Sequence, residues 1–157
     1  MFPDYIIVND DIALRQAEEC GLPKKKLVAL GNPLLEKMSK IKFNQKNKKN
    51  IKKNYNLPTN KRLIFFISEE LKNHFNTNKE TYLGYDEFVA IEHIKLSILS
   101  NDHIVIKLHP EERKSKFRKI INTNTTILKD CPINDIISIA DIVIGMDSML
   151  LLELSMH

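Results

Sequence analysis

The sequence predicts an α/β protein, a parallel sheet with flanking helices, on three observations. Short apolar runs bounded by turn residues recur at residues 5–8, 27–30, 63–67, 104–108 and 142–144. Stretches with helical spacing lie between them, and such alternation calls for βαβ units with right-handed crossovers. Two of the runs also end in polar groups. Residues 104–110 (IVIKLHP) deliver His109 and Pro110, and residues 140–153 (ADIVIGMDSMLLLE) deliver Asp147 and Ser148 at a turn into a helix. Open parallel sheets hold ligands at the C-terminal edges of their strands, so the pair points to a nucleotide or phosphate site.

Residues 5–8 sit between Pro3 and Asn9 as a short buried strand. Asp10 or Asp11 can cap a helix running from Ile12 to Cys20, with Gly21 just past its end. Residues 27–30 form a second strand, closed by Gly31, Asn32 and Pro33. Residues 63–67 (LIFFI) are apolar on both faces, as a central parallel strand requires. Ser68, Glu69 and Glu70 follow at its C-terminal edge, and residues 73–85 read as a loop. Asp86 caps a helix reaching Leu99, with Phe88, Ile91, Ile94, Leu96, Ile98 and Leu99 largely on one side, and Asn101 and Asp102 end it.

The next strand begins at Ile104. Pro110 suits the start of a charged surface helix over residues 111–121, and Glu111 and Glu112 favour its first turn. Residues 126–128 form a weaker strand, 134–140 a short helix and 142–144 a strand, and Ser148 opens a final helix. The sequence stops at His157, about two turns into that helix. With no stop signal there, it reads as a fragment or the product of a truncated gene.

With 157 residues the chain is long enough to bury a core without disulfides or metals. Cys20 and Cys131 are far apart and outside any metal-ligand spacing, so neither a zinc site nor a disulfide scaffold is expected, and a reducing cytoplasm suits them. The first residues lack the basic segment and long apolar run of a signal peptide. No stretch reaches the roughly 18 apolar residues that a membrane span needs. The net charge of +4 is unevenly placed: from Lys37 to Arg62 every charged residue is basic. Such a stripe can meet a polyanion or lipid headgroups, although aromatic residues for base stacking are nearly absent from it.

An imidazole at the mouth of a parallel sheet, followed by a proline that fixes the turn, supplies a donor for a phosphate oxygen; the alternative for His109 is a surface cap on Glu111 or plain solvation. Gly145 frees the backbone after its strand, and the helix beginning at Ser148 points amides toward the crevice. Asp147 or Ser148 can equally be the helix N-cap, and the two roles can coexist. Glu153, five residues past Ser148, can accept hydrogen bonds from sugar hydroxyls. Ser68, Glu69 and Glu70 are candidates for donor contact. No metal site emerges, because His74, His93 and His103 do not converge with carboxylates at metal spacing. Dinucleotide, P-loop and esterase-elbow motifs are also absent.

On these segments the chain resembles the C-terminal half of GT-B-type enzymes of surface polysaccharide synthesis. That group includes capsular polysaccharide glycosyltransferases, polysialyltransferase-like proteins and teichoic-acid polymerases. Residues 1–38 look like the terminal strands and helix of a first Rossmann-like domain, residues 39–62 like a basic Lys/Asn-rich linker, and residues 63–157 like an incomplete nucleotide-binding Rossmann-like domain. In polysialyltransferase-like members an HP motif and a serine motif hold the nucleotide phosphate, and His109-Pro110 and Ser148 match them. Met149 stands where the second serine of that motif would be, which departs from a CMP-sialic acid donor site. Glu153 matches by position the carboxylate that grips donor hydroxyls in many GT-B enzymes.

The resemblance implies a nucleotide-sugar donor as substrate, a glycan acceptor, no metal or other cofactor, and work in the cytoplasm or at the inner face of the membrane, with Lys37 to Arg62 as the membrane or polyanion contact. It places the acceptor site and catalytic base in the first domain, so no general base is assigned here. Two alternatives stay open: a non-hydrolysing nucleotide-sugar epimerase, favoured by Gly31-Asn32-Pro33, and a non-catalytic polyanion-binding module. Apolar surface on the last helix would support self-association.

Overall fold

The computed structural model describes residues 3–40, 47–75 and 83–156. The chain divides into two compact units, Met1–Ile41 and Lys42–Ser155.

In the first unit β1 (Ile6–Val8) is followed by α1 (Asp11–Glu19), a 3-10 turn at Lys24–Lys26, β2 (Leu27–Ala29) and α2 (Pro33–Ser39). Asp10 is the N-cap of α1: its carboxylate accepts from the Ala13 amide at 2.8 Å. Gly21 follows the helix with φ +86°, a conformation that costs any residue with a Cβ. Strands β1 and β2 pair in parallel, Ile6 opposite Leu27. Residues 33–39, unassigned in the sequence reading, form α2 because Pro33 tolerates the first helical position while the Asn32 side chain accepts from the Leu34 and Leu35 amides. Leu27 is the buried apolar residue of this unit, among the described residues.

The second unit runs α3 (Lys48–Asn54), β3 (Arg62–Ile67), α4 (Leu71–Phe75), α5 (Glu87–Ser97), β4 (Asp102–Lys107), a 3-10 turn (Lys114–Phe117), β5 (Thr125–Leu128), α6 (Ile133–Ile139), β6 (Ile142–Gly145) and α7 (Met149–Ser155). Among the described residues these strands form one sheet of order β5-β4-β3-β6, parallel throughout. Strand β3 is central, as its doubly apolar pattern predicts, and among the described residues β6 is paired on one side only. Side chains alternate across β3: Ile64 and Phe66 join a core with Ile91, Ile104, Ile106 and Phe117 on the α5 side, while Leu63, Phe65 and Ile67 join Val105, Ile136 and Ile139 on the other. Along the chain the strands step outward from β3 to β5 and then jump back to β6 beside β3. The point where that order reverses lies between β3 and β6.

Several sequence expectations are corrected. Residues 48–54, inside the expected linker, are helical, and Asp141 ties them down: its carboxylate pairs with Lys48 at 2.9 Å and accepts from the Leu63 amide at 2.8 Å. Residues 71–75 are helical, while most of the expected loop at 73–85 falls outside the described residues, as do Lys42 and Lys46 of the basic segment. Helix α5 stops at Ser97, and Leu96 and Leu99 face solvent. Asp102 opens β4 instead of ending a helix, because its carboxylate takes a bidentate hydrogen bond from Arg62 (2.7 and 2.9 Å) across the parallel pair and accepts from the Leu99 amide. The charged surface helix over 111–121 does not form. A single 3-10 turn replaces it, because Glu112 and Phe117 are drawn into the interior with no exposure.

Candidate functional site

The parallel registers bring three candidate segments to one edge of the sheet. Ile67, the last residue of β3, lies opposite Lys107 of β4 on one side and Gly145 of β6 on the other. The turns after these strands carry Ser68 to Glu70, His109-Pro110 and Asp147-Ser148 respectively. The His109 and Ser148 turns are therefore not neighbours: β3 stands between them, and two strand spacings separate them by roughly 10 Å. The two turns thus frame a crevice roughly two strand spacings wide.

His109 and Pro110 are exposed. The His109 Nδ1 accepts weakly from the Glu111 amide at 3.4 Å, so the ring also caps its own turn, and with Nδ1 as acceptor the donor nitrogen is Nε2. Ser148 is half-buried and acts as the cap of α7: its hydroxyl accepts from the Leu150 amide at 3.3 Å and its carbonyl from Leu151 at 2.9 Å. Asp147 is exposed beside it, and Glu153 is half-buried within α7. Gly145 matters for space more than for backbone freedom. A Cβ there would come within 2.6 Å of Leu151 Cδ1, so the glycine lets α7 lie close against β6.

Ser68 is buried, and its hydroxyl donates to Glu112 Oε1 at 2.8 Å. Glu69 and Glu70 are half-buried, and the Glu69 carbonyl accepts from Lys116 Nζ at 3.3 Å. Under these turns lies a group that the sequence reading missed: Glu87 and Glu112, both without exposure, and Lys116 ion-paired with each. Glu112 Oε2 accepts from the His109 amide at 2.8 Å, and Glu87 Oε2 from the Lys72 amide at 2.9 Å. Burial pulls the Lys116 ammonium down, but the two carboxylates outweigh it and hold its pKa above the ordinary lysine value. The available signal was the spacing of Glu112 and Lys116, four residues apart, yet that spacing also suits an exposed helix face.

Two cavities lie at the opposite, N-terminal ends of the strands, away from these turns. One of about 290 Å³ is lined by Arg62, Ile64, Ile94, Ile98 and Ile142. The other, of about 390 Å³, is lined by Lys61, His103 and threonines including Thr125. In the second, burial and the nearby Lys61 hold His103 below the usual histidine pKa, and its Nε2 meets Thr126 Oγ1 at 2.8 Å. In the basic segment, Lys48 is paired with Asp141, and Lys52 is buried with Nζ on the Lys61 carbonyl, so helix α3 spends part of its charge on the fold. Among the described residues no cluster of His, Cys, Asp or Glu could hold a metal ion, and no helix is long and apolar enough to cross a membrane.

The fold is Rossmann-like α/β, with parallel strands flanked by helices, and is GT-B-like. Solved structures similar to it include those of the wall teichoic acid polymerase TagF. A histidine-to-asparagine variant of that enzyme aligns at 14% identity and TM-score 0.52 over 98% of this chain and 37% of the other. Another structure of the polymerase aligns at 15% identity and TM-score 0.52 over 96% and 37%. The variant soaked with CDPG for 15 minutes gives 15% identity and TM-score 0.51 over 96% and 35%. The chain thus spans little more than a third of the length of the structures it matches. No protein-family model matches the sequence, and no curated protein does.

Proposed function

We propose that this chain is the donor-binding part of a nucleotide-sugar-dependent glycosyltransferase acting in surface polysaccharide synthesis, with residues 1–38 belonging to a first domain and residues 63–157 to the nucleotide-binding one. The observation that carries the reading is the meeting of the His109, Ser68 to Glu70 and Asp147-Ser148 turns at the C-terminal edge of one parallel sheet, astride the reversal of strand order. Such crevices take nucleotides. In this reading the His109 Nε2–H donates to one phosphate of a diphosphate and the Ser148 hydroxyl to the other, while Glu153 accepts from sugar hydroxyls. Donors fixed in place before the sugar leaves stabilise the charge that develops on the departing nucleotide. A glycan acceptor and the base that activates it come from elsewhere in the enzyme. The TagF likeness, in which one solved structure carries CDPG, favours a cytidine nucleotide as the first ligand to try.

The test is calorimetric titration of the chain with CMP, CDP, UDP and GDP. Base-selective binding is expected, stronger for the diphosphate than for CMP, and weakened about tenfold by His109→Ala or Ser148→Ala. Equal, salt-sensitive affinity for every polyanion, unaffected by those substitutions, would sink the reading in favour of binding through the basic segment.

A further inference from the structure

We infer that Glu112 is a positioning residue for this site, joining the turn after β4 to the turn after β3 through a buried charge cluster, so that His109 is presented from a fixed platform. The inference rests on His109 being a ligand contact.

The geometry is specific. One carboxylate spans two strand ends: Oε1 accepts from the Ser68 hydroxyl after β3, and Oε2 accepts from the backbone amide of His109 after β4. Lys116, bound to the same carboxylate, reaches the Glu69 carbonyl, and Glu87, bound to Lys116, accepts from the Lys72 amide. Three charges thereby engage Ser68, Glu69 and His109 in the two candidate turns and Lys72 in the first turn of α4. Stability alone is a poor reason to bury them, because apolar side chains of the same volume usually fold as well or better. Charged groups supply direction, which apolar ones do not: each oxygen specifies where one donor must stand. A displacement of about 1 Å at a ligand contact is enough to matter for function. Neither Glu112 nor Lys116 need touch the ligand.

The experiment compares wild type, Glu112→Gln and the double variant E112Q/K116M, which removes a carboxylate and an ammonium together. Hydrogen exchange at the His109 amide and the His109 ring resonances are read by NMR, and CDP affinity by calorimetry. Expected is a cooperatively folded double variant in which the His109 amide loses about tenfold of its protection and CDP binds about tenfold more weakly. Ile104→Val, in the same core but away from the cluster, serves as a control that lowers stability without moving the His109 signals. If the double variant fails to fold, Glu112→Gln alone is expected to shift the same amide and ring resonances. His109 exchange and ring resonances matching wild type in any folded Glu112 variant would overturn the inference. Absence of CDP binding by wild type would instead remove the ligand reading, and the exchange comparison, which needs no ligand, would still decide whether Glu112 holds the turn.

Discussion

In β1 the middle residue Ile7 is 64% exposed, whereas in β3 both Phe65 and Phe66 have no exposure at all. The two strands read alike in sequence, each a short apolar run before a polar turn, and each unit repeats strand, helix, strand. What separates them is the number of layers available. The first unit is a two-stranded sheet with short helices, in about 40 residues, a size at which a core rarely closes by itself. The second puts helices on both faces of four strands. An apolar run is therefore evidence of a strand, and only its partners decide whether it becomes a core.

The comparison is broken most severely at the centre of the second unit. Phe65→Ala should cost about 4 kcal/mol, since a phenyl ring is removed from a closed interior, and urea unfolding followed by circular dichroism measures it. Lys116→Met should cost about 3 kcal/mol by stranding two buried carboxylates. The same urea unfolding curves measure it. The helix caps sharpen the contrast. Asp86, buried, accepts from the Phe88 and Val89 amides at 2.9 Å, and Asp10, exposed, accepts from Ala13 alone. Asp86→Ala should cost about 1 kcal/mol and Asp10→Ala about 0.5 kcal/mol. Ile7→Ala should fall below about 0.5 kcal/mol, as expected of an exposed site.

His103 adds a pH dependence. Its folded pKa is depressed below 6.5, so the folded state binds fewer protons than the unfolded one in the window beneath that value. Its contribution to stability is complete above pH 6.5 and declines as the pH falls through that window. Thermal unfolding at pH 7.5, 6 and 5 should show a decline that His103→Gln reduces.

Much of the fold was legible because local chemistry and tertiary structure agree where the strands are. The central position of β3 followed from LIFFI, and the caps at Asp10 and Asp86 from their place before helical spacing. The errors around the 111–121 segment share a cause. Glu112 and Glu87 look like acidic first-turn residues, and Lys116 looks like surface charge, but all three are paired inside. Burial of a charge is decided by a partner brought from another element, here Glu87 by Lys116 across 29 positions, and local spacing carries no record of it. Asp102 is a similar case: its partner Arg62 lies on the neighbouring strand. The turn residues His109, Asp147 and Ser148 were legible because strand ends can be read from sequence. The intervening strand between their turns could not be seen until the sheet order was known.

Among the described residues strand β6 is hydrogen-bonded along one side, and Ile142 at its start is 38% exposed. Unpaired amides and carbonyls beside apolar side chains are a template on which another strand can grow. A substitution at such a border that leaves the melting temperature unchanged can still change how readily chains associate.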